Sequence, residues 1–104
     1  MALVLDTSSF IQGFDSSDNT TKLFTTYFVM DEVKDDMAKI RLENWVKTGK
    51  IKVTNPNDEF LQRVLSTSRE LGEVKALSET DHSVIALALQ MSTQYDTTVI
   101  SDDY

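Results

Sequence analysis

The chain contains no cysteine and a single histidine, His82. The first absence excludes a disulfide framework, a thiolate zinc site and a cysteine nucleophile. The second excludes a zinc centre built from several histidines. Long apolar runs are missing too. Nothing approaches the roughly 20 apolar residues that span a bilayer, so no membrane segment is expected. No basic stretch precedes an apolar one, so no signal peptide is visible and the default compartment is the cytosol. What is left is oxygen chemistry: carboxylates, hydroxyls and a hard metal ion. The 104 residues, 40% apolar and 26% charged, have the balance of one ordinary globular domain.

The net charge of −7 is unevenly spread. Met1 to Glu32 holds five acids (Asp6, Asp15, Asp18, Asp31, Glu32) and one base, Lys22. Val33 to Val53 holds six bases (Lys34, Lys39, Arg41, Lys47, Lys50, Lys52) and three acids. Ala76 to Tyr104 holds five acids and no base. The basic block reads either as a solvated helix face or as a patch for a phosphate backbone. The second reading survives a negative net charge because salt screens beyond ~10 Å.

Apolar patterning predicts alternating strands and helices. Ala2–Leu5 is a continuous apolar run, too short for a helix, and reads as a buried strand. Thr7 to Phe14 reads as a short helix ended by Gly13, and Asp15 to Thr21 as a polar loop. Tyr27 to Val29 suggests a short strand. Met30 to Thr48 reads as one helix with Val33, Met37, Ile40 and Val46 near a single stripe and Gly49 as its cap. Ile51–Val53 is a short strand. Asn55-Pro56 opens a helix lined by Phe60, Leu61, Val64 and Leu65 that stops at Gly72. Ser78 to Asp81 has the form of a capping box before a largely apolar, buried helix through Met91. Thr97–Ile100 is a last β-branched strand. The alternation implies an α/β fold with a parallel sheet. The sequence stops shortly after that strand with no covering helix, so the expectation is a domain truncated at its C-terminus.

In open parallel sheets, sites lie beyond the carboxyl ends of the strands. Asp6 ends the first strand, Glu32 falls in the first turn of the long helix, Asp81 opens the apolar helix, and Asp102 and Asp103 end the last strand. Carboxylates that converge after folding repel unless a cation holds them, and hard oxygen donors favour Mg²⁺ or Mn²⁺. Such a centre lowers the pKa of a bound water and braces a phosphoryl oxygen, as phosphodiester hydrolysis requires. Each acid also has a plain reading: Asp6 as a helix cap, Glu32 as a favourable charge on a helix dipole, Asp81 as half of a capping box, Asp102 and Asp103 as caps of a following helix. His82 reads as a helix-surface residue and Trp45 as packing. Thr7 and Ser101 are hydroxyls suited to a carboxylate or a metal-bound water. Tyr27 and Tyr104 suit packing or stacking on a base.

Four segments carry a resemblance: VLDTSSFIQGF (Val4 to Phe14), VMDEVKDD (Val29 to Asp36), ELGEVKALSETDHSVIALAL (Glu70 to Leu89) and TTVISDDY (Thr97 to Tyr104). Through them the chain resembles a PIN domain, and within that family the NOB-type branch. These are archaeal and eukaryotic endonucleases that trim the 3′ end of small-subunit ribosomal RNA precursors. The resemblance implies a three-layer sandwich with a central parallel sheet between helices. It implies an Mg²⁺- or Mn²⁺-dependent endoribonuclease with Asp6, Glu32, Asp81 and Asp102 as the catalytic and metal-binding quartet and Asp103 as an auxiliary ligand. It assigns RNA contacts to Lys34, Lys39 and Arg41, and names single-stranded RNA on the pre-ribosomal small subunit as the partner. A homodimer stays open. The zinc ribbon of the NOB-type proteins has no counterpart in a chain without cysteine, and the C-terminal helix and strand that the resemblance implies after Tyr104 are missing, which fits the expected truncation.

Three rivals are weaker or share the chemistry. A phospho-receiver module needs an acceptor aspartate after a middle strand and a lysine after a late one; Ile51 to Thr54 ends without the first, and no lysine follows Ile100. A metal-dependent adhesion site needs a second serine where Phe10 stands in Asp6-Thr7-Ser8-Ser9-Phe10. A toxin-type PIN ribonuclease would use the same quartet, so the acids do not separate it from the NOB type.

Overall fold

The computed structural model describes residues 1–8, 21–70 and 78–100. Four strands, β1 (Ala2–Leu5), β2 (Lys22–Thr25), β3 (Ile51–Val53) and β4 (Thr97–Ile100), form one sheet in the order β3-β2-β1-β4. Every pairing is parallel, with Leu3 opposite both Leu23 and Thr98 and Leu5 opposite Ile100. Four helices are described: α1 (Tyr27–Glu32), α2 (Asp36–Lys47), α3 (Asp58–Glu70) and α4 (Glu79–Met91). This is the expected α/β architecture, a parallel sheet flanked by helices. All four residues of β1 are buried, as the apolar run at a central parallel position demands. The link from β2 to β3 runs through α1 and α2 and the return from β3 to β4 through α3 and α4, with α1 in contact with α4. Helix α4 packs on β1 and β4, and α2 on β3.

The capping box at Ser78 forms as expected. Ser78 Oγ accepts the Asp81 N–H at 3.1 Å, and Asp81 Oδ2 accepts the Ser78 N–H at 3.2 Å. Gly49 ends α2 with φ +78°, where its N–H donates to Val46 and the Lys50 N–H to Trp45. Those two bonds are a Schellman closure, which requires a left-handed residue. The predicted side chains of α3, Phe60, Leu61, Val64 and Leu65, are half-buried where α3 packs on α4.

Two expectations are corrected. Tyr27 to Val29 is not a strand but the start of α1. The strand lies earlier, at Lys22–Thr25, because Leu23, Phe24 and Thr25 gain burial by pairing with β1 and β3, while Thr26 caps a helix by accepting the Val29 N–H at 3.2 Å. Met30 to Thr48 is not one helix. The backbone is extended at Val33, and Asp35 starts a new helix by accepting the Ala38 N–H at 2.9 Å. That interruption resets the phase. Val33 stays buried with α1, but α2 buries Ala38, Leu42 and Trp45, and leaves Met37, Ile40 and Val46 at 69%, 64% and 38% exposure. Trp45 packs into the core as expected, with the Lys50 ammonium 4.6 Å from its ring centre. The helix expected over Thr7 to Phe14 is helical at Thr7 and Ser8. Its remainder, the polar loop up to residue 20, Gly72 and residues 101–104 lie outside the described residues.

Candidate active site at the carboxyl edge of the sheet

Strand order reverses at β1: β2 and β3 follow it on one side, and β4 returns to the other. A crevice opens beyond the strand ends at such a reversal. Asp6 is the first residue past β1 at that point. Its N–H donates to the Ile100 carbonyl at 3.1 Å, adding one rung between β1 and β4. Its Oδ1 accepts the Thr7 N–H at 2.7 Å, so the carboxylate is anchored to the turn that follows. The Thr7 hydroxyl beside it is buried and has no hydrogen-bond partner among the described residues. A buried orphan hydroxyl next to a carboxylate is what an oxygen-ligated ion or its water would satisfy.

Asp81 stands in the first turn of α4 at the same edge. Its capping role is real, but it uses Oδ2 alone. Ionised carboxylates accept on both oxygens, so the cap and a ligand role are compatible. The link between α4 and the sheet edge is direct. Thr26, just past β2, and Ser83, in α4, face each other at 2.9 Å between hydroxyl oxygens, both buried. Thr25, also buried, donates its hydroxyl to the Leu5 carbonyl at 2.8 Å. These three hydroxyls were not foreseen. The sequence signal was present for Thr26, a threonine directly before an apolar helical run.

Glu32 differs from its expected position. It is the last residue of α1, not in the first turn of a long helix, and it is exposed. The helix dipole, which would favour an acid at an N-terminus, disfavours one here by about 0.3–1 kcal/mol. Helix-dipole stabilisation therefore does not explain Glu32. On the helical wheel it sits about 60° from the buried Val29, on the flank of the inward stripe, whereas Asp31 points about 160° away.

Asp6, Asp81 and the helix carrying Glu32 thus share one edge. Among the described residues no group of three or more acids or histidines is close enough to hold an ion, and Asp102 and Asp103, with Ser101 and Tyr104, lie outside them. His82 is half-buried rather than on the surface, and its Nε2 is buried without a partner. Tyr27 is 53% exposed at the start of α1, a position free of the core. Lys34 and Lys39 are exposed and Arg41 is half-buried. Because α2 leads into β3, it runs against the strand direction. Lys34 therefore lies toward the carboxyl edge and Lys47 toward the opposite one.

A parallel sheet whose strand order reverses at β1, with Asp6 directly past that strand, defines the class: an α/β domain whose site lies beyond the carboxyl ends of its strands. Residues 3–91 match the model of the family described as PIN domain of ribonuclease. The chain belongs to that family. It is 42% identical over 104 residues to Endoribonuclease Nob1 of Pyrococcus abyssi, a likeness that covers 100% of this chain and 59% of the relative. It is 36% identical to Ribonuclease VapC3 of Aeropyrum pernix, over 99% of this chain and 74% of that protein. It is 30% identical over 92 residues to the 20S-pre-rRNA D-site endonuclease NOB1 of Saccharomyces cerevisiae, covering 86% of this chain and 20% of the yeast protein. The chain spans about three fifths of the length of its Nob1 relative from Pyrococcus. No helix among the described residues is long and apolar enough to cross a membrane.

Proposed function

We propose that this chain is the catalytic PIN domain of a Nob1-type endoribonuclease, hydrolysing phosphodiester bonds of single-stranded RNA in 3′-end maturation of small-subunit ribosomal RNA precursor. The single observation that carries this reading is the 42% identity to Endoribonuclease Nob1 over the whole chain, supported by Asp6 and Asp81 at the carboxyl edge of the sheet. Asp6, Glu32, Asp81 and Asp102 form the acid quartet of this reading, with Asp103 beside it. The donor set is all hard oxygen, and the orphaned Thr7 hydroxyl fits the same group, so Mg²⁺ or Mn²⁺ is the cofactor. When bound, such an ion supplies an acidified water and charge stabilisation at the phosphoryl oxygens. The chain's own residues do the rest. Asp6 is held by the Thr7 N–H, and Asp81 by its capping box, so neither carboxylate has to be ordered anew when substrate arrives. Lys34, Lys39 and Arg41, on or just before the N-terminal half of α2, take the phosphates that flank the scissile bond.

Cleavage of single-stranded RNA with Mn²⁺ tests this reading. Asp6→Asn should reduce cleavage to background while leaving the fold intact, since an amide is isosteric with the carboxylate. Cleavage at the rate of the unaltered chain would overturn the assignment. A second reading, the toxin-type PIN ribonuclease, rests on the likeness to Ribonuclease VapC3. A ribosomal RNA precursor cut at one position would favour the first reading, and indiscriminate or transfer-RNA cleavage the second.

A further inference from the structure

Two buried hydroxyls join the helix that ends at Glu32 to the helix that carries Asp81, and their hydrogen bonds have a defined direction. Ser83 Oγ lies 2.7 Å from the Thr80 carbonyl, which can only accept. A hydroxyl has one proton, so Ser83 spends its proton there. The 2.9 Å contact with Thr26 is then a bond in which Thr26 donates and Ser83 accepts. Thr26 Oγ1 in turn accepts the Val29 N–H at 3.2 Å. The result is a one-way chain from Val29 N–H through Thr26 and Ser83 to the Thr80 carbonyl. Each hydroxyl both accepts and donates, with Thr26 at 0% and Ser83 at 1% exposure. On the other side, the Tyr27 N–H donates to Asn55 Oδ1 at 3.2 Å. The start of α1 is therefore tied at two points, to α4 and to the segment after β3.

A plain cap needs only the Thr26 oxygen and the Val29 N–H. The added bond to Ser83 fixes α1 against the first turns of α4, where Asp81 sits two residues before Ser83. We propose that the Thr26–Ser83 pair is a positioning lock that sets the spacing between the Glu32 and Asp81 carboxylates. Thr26 and Ser83 are thus positioning residues and touch no reacting atom. The inference rests on the quartet assignment above and goes beyond it by giving the quartet's geometry a structural cause. Loss of a residue that orients ligands from outside typically costs about 10–100-fold in metal affinity or activity.

The test measures Mn²⁺ binding to the chain by titration, with thermal melting alongside. Ser83→Ala removes the cross-link but leaves Thr26 capping Val29, so it isolates the lock. It should weaken Mn²⁺ binding about tenfold. Thr26→Val should do so at least as strongly, and Thr26→Ser should restore binding to about the level of the unaltered chain, because the hydroxyl alone makes both bonds. Gly49→Ala, which strains the left-handed residue at the end of α2 opposite the acids, supplies the structural control. It should lower the melting temperature without changing Mn²⁺ affinity. Unchanged Mn²⁺ affinity in Ser83→Ala, with melting lowered as in Gly49→Ala, would overturn the lock. Asp6→Asn separates the two levels of the argument. If Mn²⁺ binding depends on Asp6 but not on Ser83, the quartet stands and the lock falls. If it depends on neither, both fall.

Discussion

Helices α2 and α4 have almost the same length and cover the same sheet, but they differ in nearly everything else. Helix α4 buries Thr80, Ser83, Val84, Ala86 and Leu87, carries acids only in its first turn and has no basic residue. Helix α2 buries Ala38, Leu42 and Trp45, exposes Met37, Ile40 and Val46, and bears Lys39, Arg41 and Lys47. One helix is a wedge in the core that presents a carboxylate at its fixed end. The other is a shallower cover that carries two acids, Asp36 and Glu43, beside its three bases. The difference shows how a small domain divides its work. In the reading proposed above, the carboxylate that needs exact placement sits on the more deeply buried of these two helices, and the groups that need only the right sign of charge sit on the shallower one.

The largest effect expected from this contrast is on stability. Leu87→Ala empties a fully buried site in α4 and should cost about 2–5 kcal/mol. Ile40→Ala, on the 64% exposed face of α2, should stay within about 0.5 kcal/mol. Chemical denaturation of the two variants measures both, and equal losses would remove the contrast. The next effect is on RNA. Replacing Lys34, Lys39 and Arg41 together by Glu should abolish binding to single-stranded RNA. If each contacts one phosphate, the binding of the unaltered chain should fall with salt with a log–log slope of about −2 from these three alone. Binding titrations at several salt concentrations would show it, and unaltered affinity would make the basic block a solvated face.

Smaller effects sharpen the helix ends. Ser78→Ala should cost about 1 kcal/mol through loss of the Oγ that accepts the Asp81 N–H, and it should leave Mn²⁺ binding nearly unchanged, because the Ser78 N–H that holds the Asp81 carboxylate is retained. Gly49→Ala places a Cβ at φ +78° with nothing within 4 Å. Its penalty of about 1 kcal/mol is purely conformational, so melting should drop while Mn²⁺ and RNA binding stay unchanged. A loss of Mn²⁺ binding in Gly49→Ala would mean that the far end of α2 feels the site.

Much of the fold was legible because its signals are local. The ALVL run, the TTVI run, the capping box at Ser78 and the glycine after Lys47 each announce themselves within a few residues, and each lies where expected. The errors arose where a contact far along the chain decided the outcome. Leu23 and Phe24 have nothing distinctive around them, and only pairing with β1 and β3 makes them strand, while the aromatic Tyr27 and Phe28 drew the expected strand past its end at Thr25. The phase of α2 was lost at Asp35, whose side chain could equally have sat inside a helix. At the site, the place of Asp6 directly past the ALVL strand was readable from position alone, while Asp102 and Asp103 lie outside the described residues. The position of Glu32 was not, because it depended on where α1 stops. The Thr26–Ser83 bond, spanning 57 residues, leaves no trace in a local window.

The central claim is that the carboxyl edge of the sheet holds a divalent ion through Asp6 and Asp81. The most direct test is Mn²⁺ titration followed by electron paramagnetic resonance, comparing the unaltered chain with Asp6→Asn, Asp81→Asn and, as an exposed acid away from the edge, Asp58→Asn. The account predicts saturable binding in the unaltered chain and in Asp58→Asn, with most of the affinity lost in Asp6→Asn and Asp81→Asn. Binding of equal strength in all four proteins would contradict it.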